Sequence, residues 1–291
     1  KQRGISGDVY KKIISRTLKL IFLLLFLAAF TVHIPFFKDL ANLRIPGVLQ
    51  RIGVVFFISA VLFLNFNWKV LLGIFVGILI LYWFLLTQIP INGAAPLLTV
   101  DSNLPAVIDL NLLTSNHTYK SNYDPEGILS TLPSIATTIF GMFLGMILLN
   151  KSSEPKRKLV RIIGIGVIAL ITGYAWAQFF PLNKALWTSS FVLVTGGWAC
   201  LVYAVIYFFA DILGKNAWGK PAIIFGSNAI TVYFLASFIA KCFYMIKLPN
   251  GQTIHDFLYG IVSSVITIPK LSSLVYAVGV ILFYFGLAWI L

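Results

Sequence analysis

Apolar residues occur in runs of about 20 along most of the chain, and short polar segments separate the runs. The runs lack strict alternation of apolar and polar positions, so they predict helices and not the strands of a membrane barrel. We predict eight membrane-spanning helices, at residues 13–34, 48–66, 68–88, 128–149, 159–180, 189–210 and 221–246 and from residue 271 onward. The stretch at 254–268 is short for a span and makes a ninth if it crosses.

The predicted fold is an all-α, polytopic transmembrane helical bundle, organised as a single domain over residues 1–291. Glycine pairs four residues apart, Gly73 with Gly77 and Gly141 with Gly145, predict faces for close helix packing. The first residue is Lys and the last residues lie inside an apolar run, so we expect the sequence to be cut at both ends.

Composition supports a membrane protein: 59% of the residues are hydrophobic and only 11% are charged. The net charge of +13 does not indicate nucleic-acid binding, because the basic residues fall mostly in short loops between the predicted spans. Four basic residues lie in 1–12 and five in 151–161, whereas the polar connection 89–127 has four acidic residues and one Lys. The positive-inside rule therefore places the N-terminus and the 151–161 loop in the cytoplasm and makes 89–127 a long extracytoplasmic loop.

With this orientation, three polar segments lie at the outer mouths of helices. Their candidate ligand-binding side chains are Arg44, Gln50, Arg51, Tyr123, Asp124, Glu126, Asn183, Lys184 and Trp187. Charge near hydrocarbon is costly, so such a set indicates a common pocket, and charged groups beside an aromatic ring suit a hydroxylated, amine-bearing ligand such as a sugar. Gly47 allows close backbone approach there.

Structural explanations remain open for the same residues. The arginines are also typical interfacial anchors. Asp124 and Glu126 would favour a helix N-terminus, and Thr188 or Ser189 would cap the sixth span.

The inner face carries a second polar set. Asp211 follows the sixth span, the segment 215–220 contains two lysines and a Trp, and Asn228 lies inside the seventh span. Polar residues at such depth often hold helices together. The three histidines, His33, His117 and His255, have no companions at metal-ligand spacing, and both cysteines lie in apolar runs, so we expect no metal site.

Four ordered motifs resemble the heparan-alpha-glucosaminide N-acetyltransferase family, and in particular its bacterial members. They are LRIPGVLQR at 43–51, YDPEGILST at 123–131, NKALWT at 183–188 and GSNAI at 226–230. The resemblance covers nearly the whole chain from about residue 11. It implies a bacterial inner-membrane acyltransferase that moves an acetyl group from cytosolic acetyl-CoA to the amine of a glucosamine-type sugar on the extracytoplasmic side.

For this chain the resemblance assigns the outer set to the acceptor, with Asp124 and Glu126 as candidate catalytic groups. It assigns Asp211, Lys215, Trp218, Lys220 and Asn228 to CoA, since cations hold phosphates and an indole packs on adenine. The expected partners are the lipid bilayer and an amino-sugar or glycan acceptor, and homo-oligomerisation is left open.

One feature departs from the family pattern. The catalytic histidine proposed for the family lies in a loop upstream of anything in this sequence, and no histidine here occupies its motif. We therefore expect this chain to lack that histidine and the N-terminal spans that carry it. A small-molecule or glycan transporter or flippase is the alternative function, although we find no internal repeat and few charges at mid-membrane depth. A membrane scaffold would not need the outer polar motifs.

Overall fold

The computed structural model describes residues 7–33, 36–37, 40–91, 93–120 and 122–291. Ile34, the predicted end of the first span, lies outside the described residues. So do residues 1–6 of the predicted inner segment, and Asn92 and Ser121 of the 89–127 connection.

The described residues form eleven α-helices and no named strand. In chain order they are α1 (Gly7–Ala29), α2 (Val48–Asn65), α3 (Trp68–Gln88), α4 (Leu104–Leu113), α5 (Thr131–Leu149), α6 (Pro155–Ala177), α7 (Ser189–Tyr207), α8 (Lys220–Ser227), α9 (Ala229–Met245), α10 (Ile254–Val265) and α11 (Pro269–Ile290). A π-helical turn, Phe208–Ile212, continues α7. The prediction of an all-α, polytopic membrane fold is confirmed.

Six helices of the described part are long and apolar enough to cross a membrane: α2, α3, α5, α6, α7 with its π turn, and α11. The pair α8 and α9 makes a seventh if it counts as one span. The predicted count of eight is therefore higher than the structure supports. The difference is α1, whose charged residues extend through Lys19 and leave only Leu20–Ala29 uncharged.

The predicted span 221–246 is not one continuous helix, because α8 and α9 meet at a bend of 66°. Asn228 occupies the break, and its side-chain amide donates to the backbone oxygens of Ile224 (3.3 Å) and Ala288 (3.2 Å). Beside it, the Ser227 hydroxyl donates to the oxygens of Ile223 and Ile224. Side-chain bonds of this kind compete with the helix ladder and account for the break.

The chain divides into two compact units. The first contains the described residues of Lys1–Leu25 together with Ala41–Gly214, and the second contains those of Phe26–Leu40 together with Lys215–Leu291. In the second unit the rings of Phe26, Phe30, Phe234 and Phe238 pack together. A single domain over 1–291 stays a prediction.

In the first unit, α6 and α7 pack closely through glycines that the sequence analysis did not single out. A Cβ added at Gly166 would lie 2.9 Å from Cys200 Cβ, and one at Gly197 would lie 2.8 Å from the Gly166 oxygen. The predicted packing faces are wrong for the described residues: a Cβ at Gly73, Gly77, Gly141 or Gly145 would meet no atom within 4 Å. Spacing alone does not reveal which side of a helix meets a neighbour.

The 89–127 connection is folded rather than irregular. It contains α4, whose first turn is capped by the Asn103 side chain, and a short 3-10 turn, Ser115–His117. Asn103 and Asp109 are fully buried, so this segment has a polar interior of its own.

Candidate functional site

Arg44 forms the centre of the polar site with two carboxylates. Its Nε and Nη2 donate to the two oxygens of Asp124 at 2.9 and 2.7 Å, and Nη2 also donates to Glu126 Oε2 at 2.6 Å. The guanidinium lies over the Tyr119 ring, 4.8 Å from its centroid. A two-point Arg–carboxylate pair of this kind is strong and directional. Burial opposes the charge, but the bonds and charges of Asp124 and Glu126 outweigh it and raise the pKa of Arg44.

Asp124 is saturated with hydrogen bonds. Besides the two from Arg44, its carboxylate accepts from the backbone N–H groups of Tyr119 (2.7 Å) and Glu126 (2.9 Å). A carboxylate offers about four lone-pair sites, so Asp124 has none left for a ligand. Glu126 differs: one of its oxygens has no partner among the described residues, and its side chain is 21% exposed.

Arg51 joins the segments before α5 and before α7. Its Nη2 donates to the Pro125 oxygen at 2.6 Å and to the Ser130 hydroxyl. Its guanidinium also lies over the Trp187 ring, 5.2 Å from the centroid. We call Arg44, Arg51, Asp124, Glu126 and Trp187 the arginine cluster, and it unites all three predicted outer segments.

Local backbone structure holds Trp187 in place. Trp187 has a φ of 55°, which is rare for a bulky residue, and its indole N–H donates to Thr137 Oγ1 at 3.1 Å. The Asn183 side chain accepts from the N–H groups of Ala185 (2.9 Å) and Leu186 (3.2 Å). A strained residue that its surroundings fix in this way is typical of ligand-binding positions.

The remaining predicted acceptor residues lie beside the cluster or outside it. Tyr123 packs its ring on Tyr119, 6.4 Å between centroids. Gln50 is buried at 9% exposure, and neither amide atom has a partner among the described residues. Its Oε1 would lie 2.8 Å from a Cβ at Gly47, and Leu24 Cδ2 would lie 2.5 Å from it, so side chains fill the space beside this glycine. Lys184 is exposed, and no described residue pairs with its ammonium group.

The capping alternative does not describe these residues. Ser130 occupies the N-cap position of α5 and Thr188 that of α7, and neither side chain makes a capping bond. Asp124 and Glu126 bind Arg44 instead, and the Thr188 hydroxyl donates to the Pro181 oxygen at 3.0 Å.

Two residues that support the site were not singled out as candidates. His117 Nδ1 lies 2.6 Å from the Leu43 oxygen, and the Ile45 N–H donates to the His117 oxygen at 3.0 Å, so the 89–127 connection holds the Arg44 segment on both sides. Asp109 accepts from the Ile128 N–H at 2.8 Å. These contacts depend on the tertiary fold, and no local sequence motif predicts them.

Asp109 is fully buried, and its second oxygen has no partner among the described residues. Burial raises the pKa of its carboxyl to about 6. The oxygen lies against Gly127, where an added Cβ would overlap it. The glycine in the YDPEG segment is therefore needed for space.

The predicted CoA-binding residues fall in different units. Asp211 lies in the π turn of the first unit and is exposed. Lys215, Trp218 and Lys220 belong to the second unit and are also exposed, and the Trp218 indole donates to the Lys215 oxygen at 2.5 Å. Asn228 uses its amide to bond the backbone at the α8–α9 break. CoA binding by this set stays a prediction.

Among the described residues no group of three or more His, Cys, Asp or Glu side chains is placed to hold a metal ion.

Comparison with known proteins gives two curated relatives. The chain is 29% identical over 251 residues to the human heparan-alpha-glucosaminide N-acetyltransferase, covering 66% of this chain and 36% of the human protein. It is 30% identical over 248 residues to the mouse protein of the same name, covering 66% of this chain and 37% of the relative. The chain thus spans little more than a third of the length of these relatives. No family model matches it.

Proposed function

The chain is a distant homologue of the heparan-alpha-glucosaminide N-acetyltransferase family, and from this premise we propose that the full-length protein is a membrane-embedded acetyltransferase. The donor is cytosolic acetyl-CoA and the acceptor is the amine of a glucosamine-type sugar on the extracytoplasmic side. The observation that carries the proposal is the arginine cluster, because it brings together three of the segments that resemble the family around charged groups and an indole.

Within the cluster, the hydrogen bonds indicate a different role for each residue. Asp124 holds Arg44 and the turn that follows it, so it is a positioning residue. The oxygen of Glu126 that has no described partner accepts a hydrogen bond from the sugar amine or a hydroxyl. The glucosamine ring stacks on the Trp187 indole, whose N–H donates a hydrogen bond to Thr137 and so fixes the ring.

The reaction needs a neutral amine and a group that stabilises the developing oxyanion. The amine nitrogen attacks the thioester carbonyl, the C–N bond forms, the C–S bond breaks, and the amine proton passes to a base while CoA leaves as the thiolate. We assign to Glu126 the orientation or deprotonation of the amine. We assign to Arg51 the stabilisation of the oxyanion, and its Nε, which is buried without a partner among the described residues, supports the assignment.

Calorimetric titration of the purified full-length protein in detergent tests the acceptor assignment. We expect glucosamine to bind more tightly than glucose, which lacks the amine. Glu126→Gln keeps an oxygen for Arg44 but removes the charge, and we expect it to weaken glucosamine binding about tenfold while CoA binding is unchanged. Asp101→Asn, at an exposed carboxylate of the same connection, is the matched control.

Acetyl transfer is then followed by mass spectrometry with isotope-labelled acetyl-CoA and proteoliposomes. Labelled N-acetylglucosamine supports the proposal, and no binding of CoA at millimolar concentration would rule it out.

The broken helix pair α8 and α9 is the one observation that favours the transporter, because discontinuous spans are common in that class. Uptake of glucosamine into the same proteoliposomes without acetyl transfer would select that alternative.

A further inference from the structure

The second unit contains a cavity that plays no part in the proposed acetyl transfer. It has a volume of about 670 Å³ and is lined by residues of α9, α10 and α11. This volume falls within the range of small-molecule pockets. The described residues that line it are aliphatic, aromatic or histidine, and none is Asp, Glu, Lys or Arg. An ionised ligand would lie there without a counter-charge, so the lining favours a neutral one.

The mainly apolar lining contains one hydrogen-bonded pair of side chains, Tyr244 and His255. Tyr244 Oη and His255 Nε2 are 2.9 Å apart, and the two rings stack with 4.2 Å between centroids. The other ring nitrogen of His255 lies 3.4 Å from Asp256 Oδ1. A carboxylate on that side favours the tautomer with its proton on Nδ1, so Nε2 accepts a hydrogen bond that the Tyr244 hydroxyl donates. The Tyr244 oxygen then keeps its lone pairs for a donor inside the cavity.

The wall formed by α11 is open at Gly279. A Cβ built at this lining residue would meet no heavy atom within 4 Å. The glycine therefore borders open space and makes no close contact with another helix. The hydroxyl of Tyr284, which also lines the cavity, already donates a hydrogen bond to the Ala236 oxygen at 3.3 Å. The polar contacts that the described lining leaves to a ligand are therefore the Tyr244 hydroxyl, bonded to His255, and the Tyr276 hydroxyl.

We propose that this cavity binds a neutral, single-headed lipid from the bilayer, with its hydrocarbon chain among the side chains of α9–α11 and its hydroxyl donating to Tyr244. The apolar lining accommodates the chain. A single hydroxyl matches the few polar groups of the lining, and α11, which forms one wall, is long and apolar enough to span the membrane. Long-chain alcohols have this chemistry.

Photocrosslinking tests the proposal with the full chain in lipid nanodiscs. The probe is a hexadecanol analogue with a diazirine in its chain, and labelled residues are mapped by mass spectrometry. We expect labels on α9–α11 that unlabelled hexadecanol removes by competition. Palmitate, which has the same chain length and a charged head, should compete at least about tenfold less well because its carboxylate would be unpaired in the cavity.

Two variants test separately the contacts of the lipid's hydrocarbon chain and the contact of its hydroxyl group. Gly279→Leu fills the cavity and should remove most of the labelling, whereas Gly286→Leu is the control on the same helix, at a glycine that also has open space and does not line the cavity. Tyr244→Phe keeps the stacked ring and should weaken competition by hexadecanol about threefold to tenfold, with labelling by a diazirine hexadecane unchanged.

Two results would contradict lipid binding in this cavity. Labelling of Gly279→Leu at the wild-type level, or equal competition by palmitate and hexadecanol, would overturn the proposal. Should Gly279→Leu fail to give folded protein, as judged by gel filtration, the Tyr244→Phe result decides alone: an unchanged affinity for hexadecanol would contradict the assigned hydroxyl contact.

Discussion

At the scale of single residues, the outer polar side chains are ordered by how completely each is paired. Asp124 accepts four hydrogen bonds, Glu126 keeps one oxygen without a described partner, and Lys184 is exposed without an ion pair among the described residues. A fully paired carboxylate supports structure, whereas an incompletely paired one is available to a ligand. The three residues therefore have different expected roles, although they looked alike as charges in the sequence.

Asp124→Asn should destabilise the protein by about 3 kcal/mol, because it removes one partner of a largely buried ion pair and leaves the Arg44 charge poorly compensated. Thermal unfolding of the purified protein in detergent measures the effect. Asp101→Asn changes an exposed carboxylate and should leave the melting temperature unchanged. Equal melting temperatures for the two variants would show that the Arg44–Asp124 pair does not hold the 89–127 connection.

Asp109 gives the protein a pH-dependent stability. Burial raises its pKa to about 6 from the value of 3.8 used for an exposed Asp, so the folded protein binds a proton that the unfolded chain has released. The stabilisation is present in full below pH 3.8 and is lost as the pH rises through about 6. The stability that is lost in this way is roughly 3 kcal/mol.

Melting temperatures between pH 4.5 and 7.5 check this sign. The wild-type protein should lose stability relative to Asp109→Asn as the pH rises, because the neutral amide has no charge to bury. Parallel pH profiles for the two proteins would contradict the assignment of this dependence to Asp109.

At the scale of helices, α6 and α7 show how glycine sets the distance between spans. Gly166 and Gly197 allow the two backbones to approach until each glycine touches the other helix. Without a hydrophobic force between helices in lipid, this close packing is a principal source of their association.

Gly166→Ala should destabilise the protein by about 1–3 kcal/mol, since the new methyl group would lie 2.9 Å from Cys200 Cβ and 3.1 Å from the Gly197 oxygen. Gly164→Ala, two residues away on α6, meets open space and should be neutral or stabilise by up to about 1 kcal/mol through helix propensity. Thermal unfolding should give a lower melting temperature for Gly166→Ala and an unchanged or higher one for Gly164→Ala. Equal shifts for the two variants would contradict the described α6–α7 contact.

The sequence predicted the elements that hydropathy determines and missed those that depend on neighbours. The limits of α2, α3 and α5 follow from apolar runs between Pro, Gly and Asn residues, within a few positions. The break at Asn228 could not be read this way, because a single amide in an apolar run interrupts the helix only where a carbonyl such as that of Ala288 accepts from it.

The same division holds at the site. Motif residues such as Arg44, Asp124 and Trp187 were found from charge and aromatic character at helix mouths. Asp109 and His117 were not, because their importance comes from burial and from backbone contacts across the 89–127 connection. The sequence pattern identifies unusual side chains, whereas tertiary packing decides which of their polar groups are paired.

At the scale of the whole molecule, the charges of the loops predict orientation independently of any site. Basic residues are concentrated in the 151–161 loop and acidic residues in the 89–127 connection, and these lie at opposite ends of the span α5. Because positive loops remain in the cytoplasm, the arginine cluster is expected to face outward, as the proposed sugar acceptor requires.

Cysteine labelling tests this orientation with two exposed serines, Ser102 in the connection and Ser152 in the basic loop. A membrane-impermeant maleimide added to intact cells should modify Ser102→Cys, whereas Ser152→Cys should react only after the membrane is permeabilised. The wild-type protein provides the background, which should be low because Cys200 is fully buried and Cys242 partly so. The reverse pattern would place the arginine cluster in the cytoplasm, where an amine acceptor outside the cell could not reach Glu126.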